Sequence, residues 1–355
     1  MKILYGVSGD GLGHSIRSSI ILDHLIDRGH EVHVVVSRDG VDYMRERYED
    51  VTEIWGLTAV TEENRLLPTA TFLQNLKEAR HGLPKNVGKF FEVGRQFDPD
   101  VVITDFETWS WFFATLRGKP LLSLDHLMVV PRCEHSAGVL EGVEEEIEAA
   151  RRVMPMRIPW ADRYVISSFF HPEPRHDDTT LVPPVLRPHV YDYEATDGDH
   201  LLAYQTSYSD FDFVGALKQL GLPAKVYGLG REIDRDIEDE NITLRPFDEE
   251  QFIEDLAGSR GVVASAGYNL LSEALHFKKP YFAIPVIDQY EQMLNGRYLD
   301  HLGYGVCAFE PTVDKLAEFV DEIPRYRENL EDYEMADNRA VFDHVDRVLE
   351  ELVAR

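Results

Sequence analysis

The feature that most constrains the fold of this chain is a regular alternation of short apolar segments with segments of helical periodicity. In the first half, the predicted strands are Ile3–Val7, Val32–Val36, Asp100–Thr104, Pro120–Leu124 and Arg163–Ser168. Most of these segments are apolar along their length rather than at every second residue. Strands of that kind are buried on both faces, so the pattern predicts a parallel sheet covered by helices on either side.

The alternation stops once and then resumes, which divides the chain into two units. Residues 169–199 are rich in Pro, Asp and His, a composition that disfavours regular helix. Beyond them the predicted strands are Leu201–Gln205, Ala224–Tyr227, Ile242–Pro246, Gly261–Ser265, Pro280–Ile284 and Val306–Phe309. We therefore predict an α/β protein of two doubly wound, Rossmann-like domains over residues 1–168 and 200–324, joined by a linker and edge segment over 169–199. The helical tail, 325–355, is expected to pack back towards the first domain.

Charge and hydropathy narrow the classes of partner. The 64 acidic residues outnumber the 36 basic ones, for a formal net charge of −28. Such a charge repels a phosphate backbone, so we expect no nucleic-acid partner. The acidity fits either an ordinary solvated surface or adaptation to a high-salt cytoplasm. No apolar run approaches a membrane span of roughly 18 residues, and the start reads as a strand rather than a signal peptide. We expect a cytoplasmic protein that could sit peripherally on the inner membrane face.

A glycine-rich loop follows the first predicted strand, where ligands of parallel sheets bind. In SGDGLGHSIRS, residues 8–18, Gly9, Gly11 and Gly13 allow a tight turn and close approach of the backbone to a ligand. A dinucleotide site would need the spacing GxGxxG and an acidic residue after the second strand. The chain has GxGxGH, and Ser37 and Arg38 follow the second strand, so the loop does not favour NAD.

His14, at the end of this loop, and Asp105, at the end of a neighbouring strand, are the candidate catalytic pair. A neutral imidazole can take a proton from a hydroxyl near neutral pH, and a carboxylate on its other nitrogen would hold the tautomer. His14 could instead cap or pack on the loop, and Asp105 could cap the helix that follows it. Asp125 and His126 end the next strand, without an assigned role.

The densest polar motif lies in the second unit. A buried strand ends at Ser265, and Ala266 and Gly267 form a small-residue turn before a helix that begins at Tyr268 and Asn269. Such a turn presents backbone N–H groups to a phosphate. One and a half turns later, Glu273 could accept hydrogen bonds from a ribose. A second strand-to-helix junction carries side chains suited to binding sugar hydroxyls: Asp288, Gln289, Glu291 and Gln292.

This motif resembles the donor site of GT-B glycosyltransferases, among them the plant and animal UDP-sugar transferases and the N-acetylglucosaminyltransferase of peptidoglycan synthesis. The whole chain looks most like a microbial GT-B group. The resemblance implies that Glu273 holds the ribose and that His14 is the base, with Asp105 as its partner. It also places Gln205, Thr206 and Ser207 against the donor phosphates. Lys278 stands where these families usually have Gly.

The resemblance implies an inverting, metal-independent transfer of a sugar from a nucleotide-diphosphate donor, in the first place a UDP-sugar, to an acceptor hydroxyl. The nucleotide-sugar would be a substrate, so no cofactor is expected. The acceptor is open and could be lipid-linked, and the aromatic segment Trp109–Phe113 either contacts it or is helix core. Two alternatives share the fold: a UDP-sugar 2-epimerase, which needs no acceptor, and a non-catalytic nucleotide-sugar-binding protein.

Overall fold

The computed structural model describes residues 1–62, 64–205, 212–228 and 233–354. Within these residues the strands form two seven-stranded sheets and one two-stranded hairpin. The elements of the first half are β1 (Lys2–Val7), α1 (Leu12–Asp27), β2 (Glu31–Ser37), α2 (Gly40–Arg45), β3 (Val51–Ile54), β4 (Thr61–Glu62), β5 (Arg65–Leu66), α3 (Pro68–Gln96), β6 (Val101–Asp105), α4 (Thr108–Arg117), β7 (Leu121–Asp125), α5 (Val129–Arg132), α6 (Ala137–Leu140), α7 (Glu144–Val153), β8 (Arg163–Ser167) and β9 (Thr179–Val182).

The first sheet is parallel throughout and runs in the order β3-β2-β1-β6-β7-β8-β9. Its central strands are buried along their whole length, which explains why they read as apolar runs. The chain order reverses between β1 and β6, and β1 lies between β2 and β6. The loops that follow β1 and β6 therefore meet at one point of the carboxyl edge, which is the usual position of a ligand in such sheets.

The second half repeats this arrangement around a second core. Its elements are β10 (Leu201–Tyr204), α8 (Phe213–Leu220), β11 (Ala224–Tyr227), β12 (Ile237–Asp239), β13 (Ile242–Leu244), α9 (Glu249–Ala257), β14 (Gly261–Ala264), α10 (Tyr268–His276), β15 (Tyr281–Ala283), α11 (Tyr290–His301), β16 (Gly305–Cys307), α12 (Val313–Glu331) and α13 (Asn338–Val353). The sheet order is β12-β13-β11-β10-β14-β15-β16, and only β12 is antiparallel to its neighbour among these described strands. The predicted fold class, two doubly wound domains, is confirmed.

The two halves are joined at more than the linker. Helix α13 contacts β6, β8 and β9, and its Val341, Val345 and Leu349 belong to the hydrophobic core of the first sheet. Strand β9 lies in the proline-rich segment and forms the edge of the first sheet. No helix among the described residues is both long enough and apolar enough to cross a membrane.

The sequence patterns missed several elements of the first half. Helix α3 spans 29 residues and carries Pro84 in its interior. Its partly exposed apolar side weakens the usual contrast between a buried and a solvated face. The hairpin β4–β5 has two residues in each strand, too few for a period to be visible.

Candidate active site in the cleft

The glycine loop lies between β1 and α1, and its first glycine is tightly enclosed, whereas residues 10–13 are exposed. A Cβ on Gly9 would lie 1.7 Å from the carbonyl oxygen of Ser37, so only glycine fits there. Gly11 precedes α1 with a φ of 79°, a conformation that glycine adopts without strain. The carbonyl oxygen of Gly13 accepts a hydrogen bond of 3.0 Å from Nδ2 of Asn269, in the opposite domain. The loop thus reaches across the cleft to the second sheet.

His14 and Asp105 meet at this edge. His14 lies in the first turn of α1, and Asp105 is the last residue of β6, paired in register with Val7 of β1. Nδ1 of His14 is 2.9 Å from Oδ1 of Asp105. The His14 side chain is 12% exposed and that of Asp105 is 1% exposed. No described residue is a hydrogen-bond partner of Nε2, so this nitrogen is the one that could meet a substrate. The predicted contact between the two side chains is confirmed.

Two residues that the sequence analysis passed over also hold Asp105. Arg17 Nη2 donates to Oδ1 at 2.5 Å, and Ser18 Oγ donates to Oδ2 at 2.8 Å. Burial alone would raise the pKa of Asp105, but Arg17, His14 and Ser18 together bring it below its ordinary value. The signal for both residues was present in the sequence, because positions three and four after His14 lie on the same face of a helix.

The alternative role of Asp105, as the cap of the next helix, is wrong. The N-cap of α4 is Glu107, whose carboxylate accepts hydrogen bonds from the N–H groups of Trp109, at 2.9 Å, and Ser110, at 2.6 Å. Asp105 instead turns its carboxylate towards α1. The chain therefore divides the two tasks between two acidic residues placed two positions apart.

Asp125 and His126, at the end of β7, are both buried. Asp125 accepts hydrogen bonds from Ser123 Oγ and Met128 N, both at 2.8 Å. Burial, together with the charge of Asp105, raises the pKa of Asp125 to about 6. His126 lies in the interface between the domains, with Nε2 2.8 Å from Oδ1 of Asn295. Both side chains are therefore packed beneath the site and are not exposed to the cleft.

The predicted phosphate turn lies between β14 and α10, and Gly267 is the N-cap of α10. Ser265, Gly267 and Asn269 are partly exposed there. Ala266 and Tyr268 point inward: Ala266 is fully buried, and the Tyr268 ring stacks on His126 with 4.0 Å between ring centroids. Ala266 and Tyr268 can therefore offer a ligand their backbone but not their side chains.

Glu273 is not open to the cleft. Its Oε1 and Oε2 accept hydrogen bonds from Nε of Arg187, at 2.7 Å, and Nη2 of Arg187, at 2.6 Å. The side chain of Glu273 is 3% exposed, and that of Arg187, from the proline-rich segment, is 10% exposed. A ribose could reach this carboxylate only by displacing Arg187. The predicted ribose contact thus requires a rearrangement that no feature of the sequence indicates.

The second polar cluster forms at the junction of β15 and α11, and all of its members are partly exposed: Asp288, Gln289, Glu291 and Gln292. Gln292 Oε1 accepts from Val286 N at 3.1 Å, and Asp288 Oδ2 accepts from Arg65 Nη1 at 3.3 Å. Because β14 and β15 are neighbours, this cluster shares an edge with Ser265. Gln205 follows β10 at the same edge, whereas Thr206 and Ser207 lie outside the described residues.

The contacts of Lys278 account for a lysine at a position where the resembling families usually have glycine. It has a φ of 57°, a backbone conformation that glycine usually supplies. Its Nζ donates to the carbonyl oxygens of Leu330, at 2.9 Å, and Tyr333. These bonds to the end of α12 and the loop after it offset the backbone strain of a non-glycine residue.

A cavity of about 680 Å³ opens beside the glycine loop in the first domain. It is lined by Ser8, Ser37, Trp55, Gly56, Leu57, Phe72, Asn75, Leu76, Ala79, Leu83, Asn86, Val87, Phe90, Phe91, Glu107, Thr108, Trp109, Phe112, Leu116 and Arg157. Of the aromatic segment in α4, Phe113 is core, whereas Trp109 and Phe112 line the cavity. The helix-core interpretation therefore holds for Phe113, and contact of the segment with an acceptor stays a prediction.

The model of glycosyl transferase family 1 matches residues 1–324. The chain belongs to glycosyl transferase family 1. It is therefore a glycosyltransferase, and its two facing sheets are the GT-B arrangement. No curated protein sequence matched the chain.

Solved GT-B structures share the fold over the whole chain. The structure of Arabidopsis thaliana UGT89C1 complexed with UDP-L-rhamnose superposes with a TM-score of 0.68 at 13% identity, covering 99% of both chains. The glycotransferase of kitacinnamycin superposes with a TM-score of 0.67 at 16% identity, covering 99% of this chain and 97% of that chain. Acinetobacter baumannii MurG superposes with a TM-score of 0.61 at 14% identity, covering 99% of both chains. At these identities the similarity extends to the fold of the transferase and no further.

Proposed function

We propose that this transferase moves a sugar from a nucleotide-diphosphate sugar, in the first place a UDP-sugar, to an acceptor hydroxyl with inversion at the anomeric carbon. The observation that carries the proposal is the His14–Asp105 pair, in which one imidazole nitrogen is held at 2.9 Å and the other is left for a substrate. A base in this position can act once a donor lies across the cleft from it.

The contacts of Asp105 favour one tautomer of His14. If Nδ1 carries the proton, it donates to Asp105, and Nε2 has the lone pair that a base needs. Arg17 Nη2 lies 3.1 Å from Nδ1 and 2.5 Å from Oδ1. When Nδ1 is protonated, the N–H of Arg17 donates its hydrogen bond to the carboxylate and not to Nδ1. As the acceptor hydroxyl attacks, its proton passes to Nε2, and ionised Asp105 stabilises the imidazolium that forms. Arg17 keeps Asp105 ionised.

On the donor side, α10 begins close to the first domain, because the Asn269 side chain in its first turn donates to the Gly13 carbonyl oxygen. The first N–H groups of a helix have no partner within the helix. A helix N-terminus favours the negative charge that a leaving diphosphate develops. We assign the diphosphate to residues 265–269 and the sugar to Asp288, Gln289, Glu291 and Gln292. Helix N–H donors can supply this compensation without a divalent metal or a cofactor. The UDP-L-rhamnose complex of UGT89C1 supports the choice of a UDP-sugar as first candidate.

A donor panel tests the proposal directly. Calorimetry with UDP, GDP, ADP and dTDP should show binding, with UDP the tightest, and EDTA should change neither binding nor turnover. NMR of the product should show the anomeric configuration opposite to that of the donor. Conversion of a UDP-sugar without acceptor would overturn the proposal in favour of an epimerase. Binding without any turnover would favour a sensor.

A further inference from the structure

The cavity beside the glycine loop has a polar end close to the catalytic pair. Ser8, which lines it, donates its backbone N–H to the carbonyl oxygen of Asp105 at 3.1 Å. Glu107, two residues after Asp105, lines it as well. Its volume of about 680 Å³ lies within the usual range for small-molecule sites, roughly 300–1,000 Å³. The polar end of the cavity is therefore formed by the segments that follow β1 and β6, the same segments that carry His14 and Asp105.

The walls of the cavity expose large apolar side chains. The seven are 50–69% exposed, five on one face of α3 and two on α4: Phe72, Leu76, Leu83, Val87, Phe91, Phe112 and Leu116. A contiguous group of this size is unusual on a soluble surface and marks a place where an apolar partner binds. Helix α3 is also locally basic, because five Lys or Arg residues outnumber two Glu residues in a chain of net charge −28.

Arg157 is the basic side chain among the described residues that line the cavity. No described residue accepts a hydrogen bond or forms an ion pair with its guanidinium, and its Nε is enclosed without a partner. Its Cζ lies 4.5 Å from the centre of the Phe106 ring. Burial lowers its pKa, partly offset by nearby carboxylates, but a guanidinium stays charged at any physiological pH. Arg157 is partly exposed, but its enclosed Nε donor has no acceptor, which is costly unless a ligand supplies one.

Asp10, Glu107 and Asp125 are the carboxylates whose charges act on Arg157, and Asp10, exposed on the glycine loop, has the largest effect of the three. Glu107 caps α4 through Trp109 N and Ser110 N, and Asp125 accepts from Ser123 Oγ and Met128 N. Neither is within ion-pair distance of Arg157. The polar end of the cavity thus carries one cation that forms no direct ion pair with a described carboxylate, beside the capping carboxylate of Glu107 and next to walls that are otherwise largely apolar.

We propose that this cavity binds an amphiphilic acceptor, with its apolar chain or ring system against α3 and α4 and an acidic group on Arg157. The placement of its hydroxyl at His14 rests on the proposed function, whereas the binding itself does not. Arg157 would then select for the acidic group, and the exposed side chains of α3 and α4 would supply most of the affinity.

Dodecanoate and dodecanol, below the concentration at which they aggregate, are the probes. Their binding can be followed by the fluorescence of Trp55 and Trp109, which line the cavity. We expect dodecanoate to bind at least about tenfold more tightly than dodecanol, because a charge-assisted bond is added. Arg157→Gln should abolish this preference and leave dodecanol affinity unchanged, whereas Arg157→Lys should keep part of it. Leu76→Glu should weaken both probes.

Arg152→Gln is the matched control, since Arg152 is 76% exposed and pairs with Glu148. It should bind both probes as the unmodified chain does, and melting temperatures identify any variant that has not folded. A preference for dodecanoate that survives in Arg157→Gln would overturn the proposal, as would failure of both probes to bind the unmodified chain. Cosedimentation with phosphatidylglycerol vesicles that Arg157→Gln loses would identify a membrane lipid as the source of the acidic group. Binding of dodecanoate alone would identify a free amphiphile.

Two further results separate this inference from the proposed function. Arg157→Gln should bind UDP as the unmodified chain does. If dodecanoate binds through Arg157 but no acceptor of any class receives a sugar, the proposed function fails and the binding site stands. If sugar is transferred to neutral acceptors at the same rate with and without Arg157, the proposed function stands and the acceptor assignment fails.

Discussion

The two sheet edges that face the cleft use their charged residues in different ways. In the first domain, Asp105 is buried, but it holds a histidine whose Nε2 is left for a substrate. In the second domain, Glu273 lies within α10, and both of its oxygens accept hydrogen bonds from Arg187. The first edge therefore offers an ionisable group for chemistry. The second edge offers backbone N–H groups at the start of α10, and its partly exposed carboxylates, Asp288 and Glu291, lie apart from them at the junction of β15 and α11.

This difference fits the needs of glycosyl transfer. A base must exchange a proton with the acceptor, so it has to touch the substrate. A diphosphate needs donors that carry no negative charge, and a free carboxylate beside it would repel it. The pairing of Glu273 with Arg187 removes such a charge from the donor side.

The largest effect that tests this contrast is expected for His14→Ala. Loss of a general base should lower turnover by about 10²–10⁴-fold without changing UDP affinity. Asp105→Asn should lower it less, because a neutral partner remains on the imidazole. Steady-state kinetics with the best donor and acceptor measure both.

His24→Ala is the control for that experiment. His24 lies on the same helix and pairs with Asp346 at 3.0 Å, but on the side that faces α13. Turnover should be unaffected. A His14→Ala enzyme that works at the full rate would remove the base assignment altogether.

The second effect concerns the buried pair. Glu273→Ala leaves the Arg187 charge enclosed with only Glu249, at 3.4 Å, nearby. We expect the free energy of unfolding to fall by about 3–5 kcal/mol. Denaturant titration measures it, and Glu249→Ala, which removes the 42%-exposed partner, should cost far less. If Glu273→Ala instead keeps its stability and weakens UDP binding by about tenfold or more, the carboxylate contacts ribose and Arg187 moves aside.

A smaller effect is expected from Asp125→Asn, and its sign depends on pH. The pKa of Asp125 is about 6 in the folded chain, above the ordinary value of 3.8. Ionisation above pH 6 therefore costs stability, and this cost is absent below both values. Asn avoids it, so the variant should gain up to about 3 kcal/mol at pH 8 and nothing at pH 3.5. Unfolding at both pH values measures the difference. An equal change at both would show that charge is not the cause.

The smallest effect should come from Asn269→Ala, which removes the hydrogen bond to Gly13 across the cleft. A single bond of this kind is worth about 0.5–1.5 kcal/mol. UDP affinity should fall several-fold, since Asn269 is assigned to the diphosphate. Asn329→Ala, which loses a similar bond to the Gly303 carbonyl far from the cleft, should leave affinity unchanged. Equal UDP affinity in both variants would limit Asn269 to a contact between the domains.

Much of the fold and the first-domain site could be predicted from the sequence. Hydrophobic period and chain breaks located the central strands, and two adjacent parallel strands bring their ends together. That is why the meeting of His14 and Asp105 could be expected although they are 91 positions apart. The contacts of Arg17 and Ser18 with Asp105 could also have been predicted, because helix spacing places both residues on the same face as His14. These features are local, and local spacing is what a sequence displays.

Other features depend on how distant segments pack. Arg187 and Glu273 are 86 positions apart, and the sequence around neither residue predicts that they pair. The contact of hairpin β4–β5 with Ile287, in the loop before α11, and the exposed apolar face of α3 are of the same kind. The sequence by itself determined which side chains reach the two sheet edges. Only the tertiary structure decided which of them stay free, because a charge is neutralised by whichever opposite charge the fold brings within reach, however distant in the chain.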